Sequence, residues 1–335
     1  MTAQAIETDL PSGPVGIAYR RFDPATDYTV VAALIADCHA HDDIDWYPTA
    51  ELLAHEWGHN DSFDPASDAV LAFEGDRAVG LVDVDWRLRE AAVVHGLDIW
   101  VRPEARRRGI GGRLLDWAES HARETAAAGH AGPTDLAHDA MGWGDAHVPG
   151  HAELAASRGY RVARYGFEML RPLDAPVVVE PLPAGLAIRA VEPGHYRAIW
   201  DADVEAFRDH RDPAVRTEED YRAKFEAPWL DTSTWKVAWA GDEVAGSVMT
   251  WVSAEENQRI GIKRAWLDHI SVRRPWRRQG VAAALITATL ELLREQGYEQ
   301  AALGVDAENP TGALRLYERL GFVRTKTGIG YRKAL

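Results

Sequence analysis

Residues 268–283 carry a run whose composition and spacing suit anion binding: Asp268-His-Ile-Ser-Val272, then Arg277-Arg278-Gln279-Gly280-Val281-Ala282-Ala283. A helix opening at Val281 would expose unpaired backbone N–H groups and a partial positive charge in its first turn. Gly280 and Ala282 keep bulk away, so a phosphate can approach the backbone. Arg277 and Arg278 add charge-assisted hydrogen bonds to phosphate oxygens. The same parts occur earlier as Val101, then Arg106-Arg107-Arg108-Gly109-Ile110-Gly111-Gly112. Two diphosphate cradles are therefore expected. A dinucleotide-binding fingerprint is excluded: Gly109-Ile-Gly111-Gly112-Arg113-Leu114 does not complete G-x-G-x-x-G, and no opening βαβ unit surrounds it. His55-Glu56-Trp57-Gly58-His59 matches a zinc-protease spacing. Gly58 weakens that helix, and Asn60-Asp61-Ser62 and Pro65 follow at once, so no metal is expected there.

The elements that must position these residues come twice. Gly16-Ile-Ala-Tyr-Arg20 returns as Gly185-Leu-Ala-Ile-Arg189, and Gly75-Asp-Arg-Ala-Val-Gly80 as Gly241-Asp-Glu-Val-Ala-Gly246. Arg158-Gly159-Tyr160 returns as Leu320-Gly321-Phe322. With the two arginine–glycine turns, these matches recur at offsets between 162 and 171 residues, the mark of a tandem repeat. The spacing predicts one domain over 1–171, a linker over 172–184 rich in proline, and a second domain over 185–335. Each copy reads as mixed α/β with a mixed sheet. In the second, a strand near Leu186–Arg189 precedes helices His195–Arg208 and Glu218–Phe225. A hairpin of Trp235–Ala240 and Val244–Trp251 follows, turning at Gly241-Asp242. Next come a strand Ala265–Val272, a helix Val281–Gln296 stopped by Gly297, a strand Ala301–Val305, and a helix Thr311–Leu320 closed by Gly321.

With Asn309-Pro310-x-x-Ala313-x-x-x-Tyr317-Glu318-x-x-Gly321-Phe322 added to the strand and turn, the sequence resembles the GNAT (GCN5-related) N-acetyltransferases over almost its whole length, as a tandem of two such acyltransferase domains. The resemblance implies acetyl-CoA as co-substrate and a primary amine as acceptor. It implies that the turn holds the pyrophosphate and that the backbone of Ile270–Val272 pairs with the pantetheine arm. It further implies that Asn309 helps hold coenzyme A and that Tyr317 stands beside the thioester sulfur. The tandem form is similar to the mycothiol synthases, which acetylate the cysteinyl amine of a glucosamine–inositol conjugate. Ala206-Phe207-x-x-His210 and Glu226-x-Pro228-Trp229-x-Asp231 carry that likeness. Trp266 stands where that group would have a strand Glu, and Leu267-Asp268-x-Ile270-x-Val272 looks more like aminoglycoside acetyltransferases.

Acyl transfer needs a neutral amine, and an ammonium of pKa ~10.4 must lose a proton to a base. On a regular strand Asp268 shares a face with Ile270 and Val272, which makes it the expected base, with His269, which should point to the other face, as the runner-up. A tyrosine at ~10 stays protonated beside a departing thiolate at ~8.5, so Tyr317 is the expected acid. The first copy keeps the turn, but counting back from Gly159 puts Ala155 in the place of Tyr317 and His147 in that of Asn309. Counting back from Val101 puts Leu97 in the place of Asp268, with Asp98 one residue out of register. Residues 129–150 read as an irregular Gly/His/Pro stretch. The first domain is expected to be catalytically degenerate. A coenzyme A-responsive binding protein without turnover is the rival reading.

Composition bounds the rest. At 335 residues, 46% hydrophobic and 27% charged, the chain suits two ordinary globular domains. A net charge of −15 argues against nucleic acid as partner and favours small cationic molecules. Cys38 is the only cysteine, so neither an internal disulfide nor a cysteine metal cluster can form. Met1–Gly13 lacks a basic segment followed by an apolar one, and no run approaches the ~18 apolar residues of a membrane span. A cytoplasmic enzyme with no membrane partner is expected, and nothing in the sequence reports an oligomeric state.

Overall fold

The computed structural model describes residues 8–210, 212–309 and 312–335. The start of the Met1–Gly13 segment, and Pro310 and Thr311 of the Asn309–Tyr317 motif, lie outside the described residues. The chain divides into two compact units. The first comprises the chain up to Ala163 with Thr217–Ala223 and Ile329–Leu335; the second comprises Arg164–Arg216 and Lys224–Gly328.

The first unit contains β1 (Ile17–Arg21), α1 (Tyr28–Asp42), α2 (Ala50–Gly58), α3 (Pro65–Asp68), β2 (Ala69–Glu74), β3 (Arg77–Leu88), β4 (Ala92–Val101), α4 (Ile110–Ala127), β5 (Ala137–Asp145) and α5 (Pro149–Ser157). Strands β1 to β4 pair antiparallel in sequence order, and β4 pairs parallel with β5 from Ala92↔Ala137 to Gly96↔Met141. The stretch 129–150 is thus not irregular throughout. Its Asp and Gly content disfavours a strand, but the open edge of β4 supplies hydrogen bonds that local propensity does not. Two cores form, one around Leu114, Trp117, Val82 and Leu97, the other around Leu34, Ile35, Leu53 and Leu71.

The second unit opens with most of β6 (Arg161–Pro172). It continues with β7 (Ala187–Arg189), α6 (Tyr196–Phe207), the last two residues of α7 (Glu218–Phe225), β8 (Lys236–Ala240), β9 (Glu243–Trp251), α8 (Ala254–Ile260), β10 (Arg264–Val272), α9 (Val281–Glu295), β11 (Gln300–Asp306), α10 (Ala313–Arg319) and the start of β12 (Val323–Ala334). Strands β7 to β10 pair antiparallel in order, β10 runs parallel to β11, and β11 pairs antiparallel with β6. Helix α9 lies between Gly280 at φ +93° and Gly297 at φ +79°. Its Val281, Leu285 and Leu293 are buried with Ala265 and Leu267 of β10 and Ala301 and Leu303 of β11. Among the described residues no helix is long and apolar enough to cross a membrane.

Candidate active site

The arginine–glycine turn has one backbone shape in both units. Arg107 and Arg278 adopt left-handed φ values of +62° and +61°, and Gly109 and Gly280 follow at +85° and +93°. Left-handed backbone is costly for arginine, so its recurrence marks a turn shape fixed by its surroundings. A Cβ added at Gly280 or Gly109 would meet nothing within 4 Å, so neither glycine Cα is crowded by other parts of the chain. The first helical bond of α9 runs from the Ala284 N–H to the Gly280 carbonyl at 3.0 Å, which leaves the N–H groups of Val281, Ala282 and Ala283 ahead of the ladder. Three backbone N–H groups free of the helical ladder are the local feature on which the expected anion cradle depends.

The arginines divide their roles differently from the expectation. Arg277 donates from Nε to the Val272 carbonyl at 2.8 Å, from one amino group to the Ala206 carbonyl at 3.0 Å, and from the other to Asp209. Arg106 repeats the pattern on the Val101 carbonyl and, bidentate, on Asp42. Both guanidiniums brace the turn against the strand end and a helix, in place of the phosphate contacts read from sequence. Arg278 is exposed, and among the described residues no carboxylate pairs with it. Arg107 and Arg108 of the first unit pair with Glu153 and Glu74.

Beside the second turn, the parallel pairing of β10 with β11 is short. It joins Arg264↔Gln300, Ala265↔Ala301 and Trp266↔Ala302, and no rung follows. Ile270, Ser271 and Val272 therefore lack a β11 partner, and the two strands part where an extended arm could enter. A β-bulge between Leu267 and His269 sits at the start of this opening, with Asp268 as the extra residue against β9. A bulge breaks the two-residue alternation, so the shared face of Asp268, Ile270 and Val272 does not hold. His269 is not turned away either: its Nε2 lies 3.6 Å from Asp268 Oδ2.

Asp268 is half-exposed and accepts from the Lys224 ammonium at 3.1 Å. Desolvation raises its carboxyl pKa, but the neighbouring His269 imidazole and Lys224 ammonium outweigh that and hold it below the ordinary range. His269 bonds through Nδ1 to Asp203 Oδ2 at 2.8 Å. Asp203 is 3% exposed, and its second oxygen has no hydrogen-bond partner. Asp203 on α6 and Lys224 on α7 were not legible from the strand motif, because no local spacing links them to Asp268. Tyr317 lies in the same core as Val281, Leu285 and Val305, with Ile270 and Val272 packed against it. Burial pushes its phenol up to about 12. The Asn309 N–H caps the end of β11 on the Asp306 carbonyl at 3.1 Å. Trp266 donates to the buried Glu256 of α8 at 3.0 Å, so a carboxylate meets that strand position from another element.

In the first unit, Ala155 and Leu97 are buried core residues, and His147 bonds to the Asp42 carbonyl at 2.6 Å. Strand β4 has no bulge: Val101↔Gly80 leads to Asp98↔Asp83 in unbroken register, as Val272↔Gly246 leads to His269↔Met249. By register, then, Asp98 is the counterpart of His269, and Asp268 has none. Counting residues misplaced it by one because the bulge inserts a residue in only one copy. Asp98 joins Asp83, Asp85, Asn60, Trp57 and Arg87 around a pocket of about 300 Å³. The HExxH histidines have other partners: His55 Nε2 meets the Ala223 carbonyl at 2.8 Å, and His59 Nδ1 the His55 carbonyl at 2.9 Å. Among the described residues no three His, Cys, Asp or Glu side chains could hold a metal ion.

The chain matches the acetyltransferase (GNAT) family over residues 32–137 and again over 196–322. It is 31% identical over 320 residues to a mycothiol acetyltransferase of Salinispora arenicola, covering 94% of this chain and 95% of that protein. A mycothiol acetyltransferase of Thermobispora bispora is 32% identical over 266 residues, 79% of this chain and 83% of its own length. Among solved structures, a GCN5-related N-acetyltransferase from Sphaerobacter thermophilus superposes with a TM-score of 0.74 at 28% identity, covering 96% of this chain and 97% of that one. A tandem GNAT protein from the clavulanic acid biosynthesis pathway shares the fold at TM-score 0.67 and 20% identity, covering 95% and 98%.

Proposed function

The chain belongs to the acetyltransferase (GNAT) family, and from that premise we propose that its second unit transfers acetyl from acetyl-CoA to the primary amine of a small molecule. The observation that carries this reading is the parting of β10 and β11 immediately before the Gly280 turn. An opening between two parallel strands ends at an anion cradle, which suits a donor with an extended arm and a diphosphate. Acetyl-CoA supplies the activated acyl group as a thioester.

The protein's own groups account for the rest. The N–H groups at the start of α9, with Arg278, hold the diphosphate, and Arg277 keeps the turn in shape. The edge of Ile270–Val272 that faces away from β9 pairs with the arm. Tyr317, protonated at any physiological pH, donates its proton to the departing sulfur. Asp268 already holds one primary ammonium, that of Lys224, and presents the same carboxylate to an acceptor amine. Asn309 closes the site at the end of β11. In the first unit Ala155 replaces the acid and the β4 bulge is missing, so that unit does not turn over.

Relatives named mycothiol acetyltransferase make a cysteinyl amine on a glucosamine–inositol conjugate the first acceptor to try. The strand Leu267-Asp268-x-Ile270-x-Val272, similar to that of aminoglycoside acetyltransferases, makes an aminoglycoside the second. The rival reading, a coenzyme A-responsive binder, draws on the intact turn of the first unit. Release of free thiol from acetyl-CoA with each amine separates the two. Thiol released in step with acetylated amine supports the enzyme; binding without release with either amine supports the rival.

A further inference from the structure

Resting on that reading and deepening it, we propose that His269, oriented by Asp203, takes the proton from the acceptor amine, and that Asp268 anchors the ammonium instead of deprotonating it. The bulge at Asp268 turns the His269 side chain, 15% exposed, to the same place as the Asp268 carboxylate. The 2.8 Å contact between Nδ1 and Asp203 Oδ2 has one donor, the ring N–H, so in the neutral imidazole the lone pair is on Nε2, which lies 3.6 Å from Asp268 Oδ2 where the amine would bind. The Phe207 ring, with its centroid 5.3 Å from that of the imidazole, limits its tilt. The Asp203 carboxylate, at 3% exposure with one oxygen unpartnered, is costly unless a positive charge forms next to it. Proton capture by His269 creates that charge.

Asp268 has the opposite character. Its carboxylate pairs with Lys224 and faces His269, and a carboxyl held below its ordinary range is a weak proton acceptor but a good ammonium ligand. In the step itself, one ammonium proton passes to His269 Nε2. The freed nitrogen lone pair forms the N–C bond as the C–S bond breaks, and the Tyr317 proton goes to sulfur. The nitrogen's surplus proton restores the phenol, and His269 returns its proton to solvent. The sum is amine plus thioester giving amide plus thiol, with one proton released for each ammonium consumed.

The test uses the full chain, acetyl-CoA, and whichever of the two amines above the wild type acetylates. His269→Gln is expected to lower kcat by about 10²–10⁴ with both KM values within threefold, and imidazole in the buffer should restore turnover to His269→Gly. Asp203→Asn keeps shape but offers the ring the wrong tautomer, so kcat should fall at least about tenfold at unchanged KM. Asp268→Asn should raise the amine KM more than it lowers kcat. Turnover of His269→Gln within threefold of wild type overturns the proposal. So does a hundredfold loss of kcat in Asp268→Asn at unchanged amine KM. If His269→Gln does not fold, Asp203→Asn decides alone, and unchanged kcat there overturns it. A wild type that acetylates neither amine defeats the parent reading instead, so the two failures remain distinct.

Discussion

Tyr317 stacks edge-to-face on Phe322, with centroids 6.1 Å apart, inside the core of the second unit. Its ring therefore packs, and its hydroxyl is free to do chemistry: among the described residues nothing accepts from it. Tyr317→Phe keeps the ring's volume, so the melting temperature should hardly move, while kcat should fall by about 10²–10⁴ and acetyl-CoA affinity stay level. Steady-state kinetics beside a thermal melt decide it; a lower Tm with intact turnover would make the residue core packing alone. Arg277 shows how far a residue type can be read in isolation. Its charge and position were plain in the sequence, but its partners, the Val272 and Ala206 carbonyls and Asp209, are gathered from a strand end and from the far end of α6.

Turns and strands set the second tier of predictions. Gly280 sits at φ +93° with open space over its Cα, so Gly280→Glu strains the backbone and puts a negative charge in the anion cradle. Like charges brought together cost several kcal/mol, so acetyl-CoA affinity of the second unit should drop more than about tenfold by calorimetry. Gly109→Glu, the matching change in the first unit, should leave more than half of the turnover; its loss in a folded protein would place the chemistry elsewhere. Strand pairing carries a pH effect. Asp83 faces Asp98 across β3 and β4, with Asp85 nearby. Loss of hydration in the pocket and then the Asp85 charge push the Asp98 carboxyl up to about 6. The folded protein thus holds a proton that the unfolded chain, near 3.8, has released. Stability from this cluster is present below about pH 4 and is lost as pH rises through 6. Asp98→Asn should therefore raise stability at pH 7.5 by the ~0.2–1 kcal/mol of a cross-strand like-charge pair, seen as a higher Tm, and flatten the dependence between pH 4 and 7. Melts at several pH values check it; an Asn variant less stable at pH 7.5 would count against the cluster's repulsion.

At the scale of the molecule, the compact units do not follow the repeat. The first includes Ile329–Leu335, where Tyr331 is 8% exposed in the core, Lys333 pairs with Glu119 and Arg332 with Asp139. Tyr331→Ala should destabilise the first unit by about 3 kcal/mol or more, seen by calorimetry as an earlier first transition. A fragment of residues 1–171, which lacks that segment, should melt below the same unit in the whole chain; an equal Tm would show the tail to be dispensable. The two copies, the mixed α/β order within each, the turns at Gly109 and Gly280 and the gap left by Ala155 were all legible in the sequence. They rest on local rules: glycine's freedom at positive φ, helix and strand periodicity, and repetition at fixed offset. The bulge at Asp268, the Asp203–His269 pair, the bracing role of Arg277 and the placement of the last residues were not. A bulge is an extra residue against one partner strand, and an ion pair joins residues tens of positions apart. Both are decided by which backbones meet, and that is set only when the chain packs.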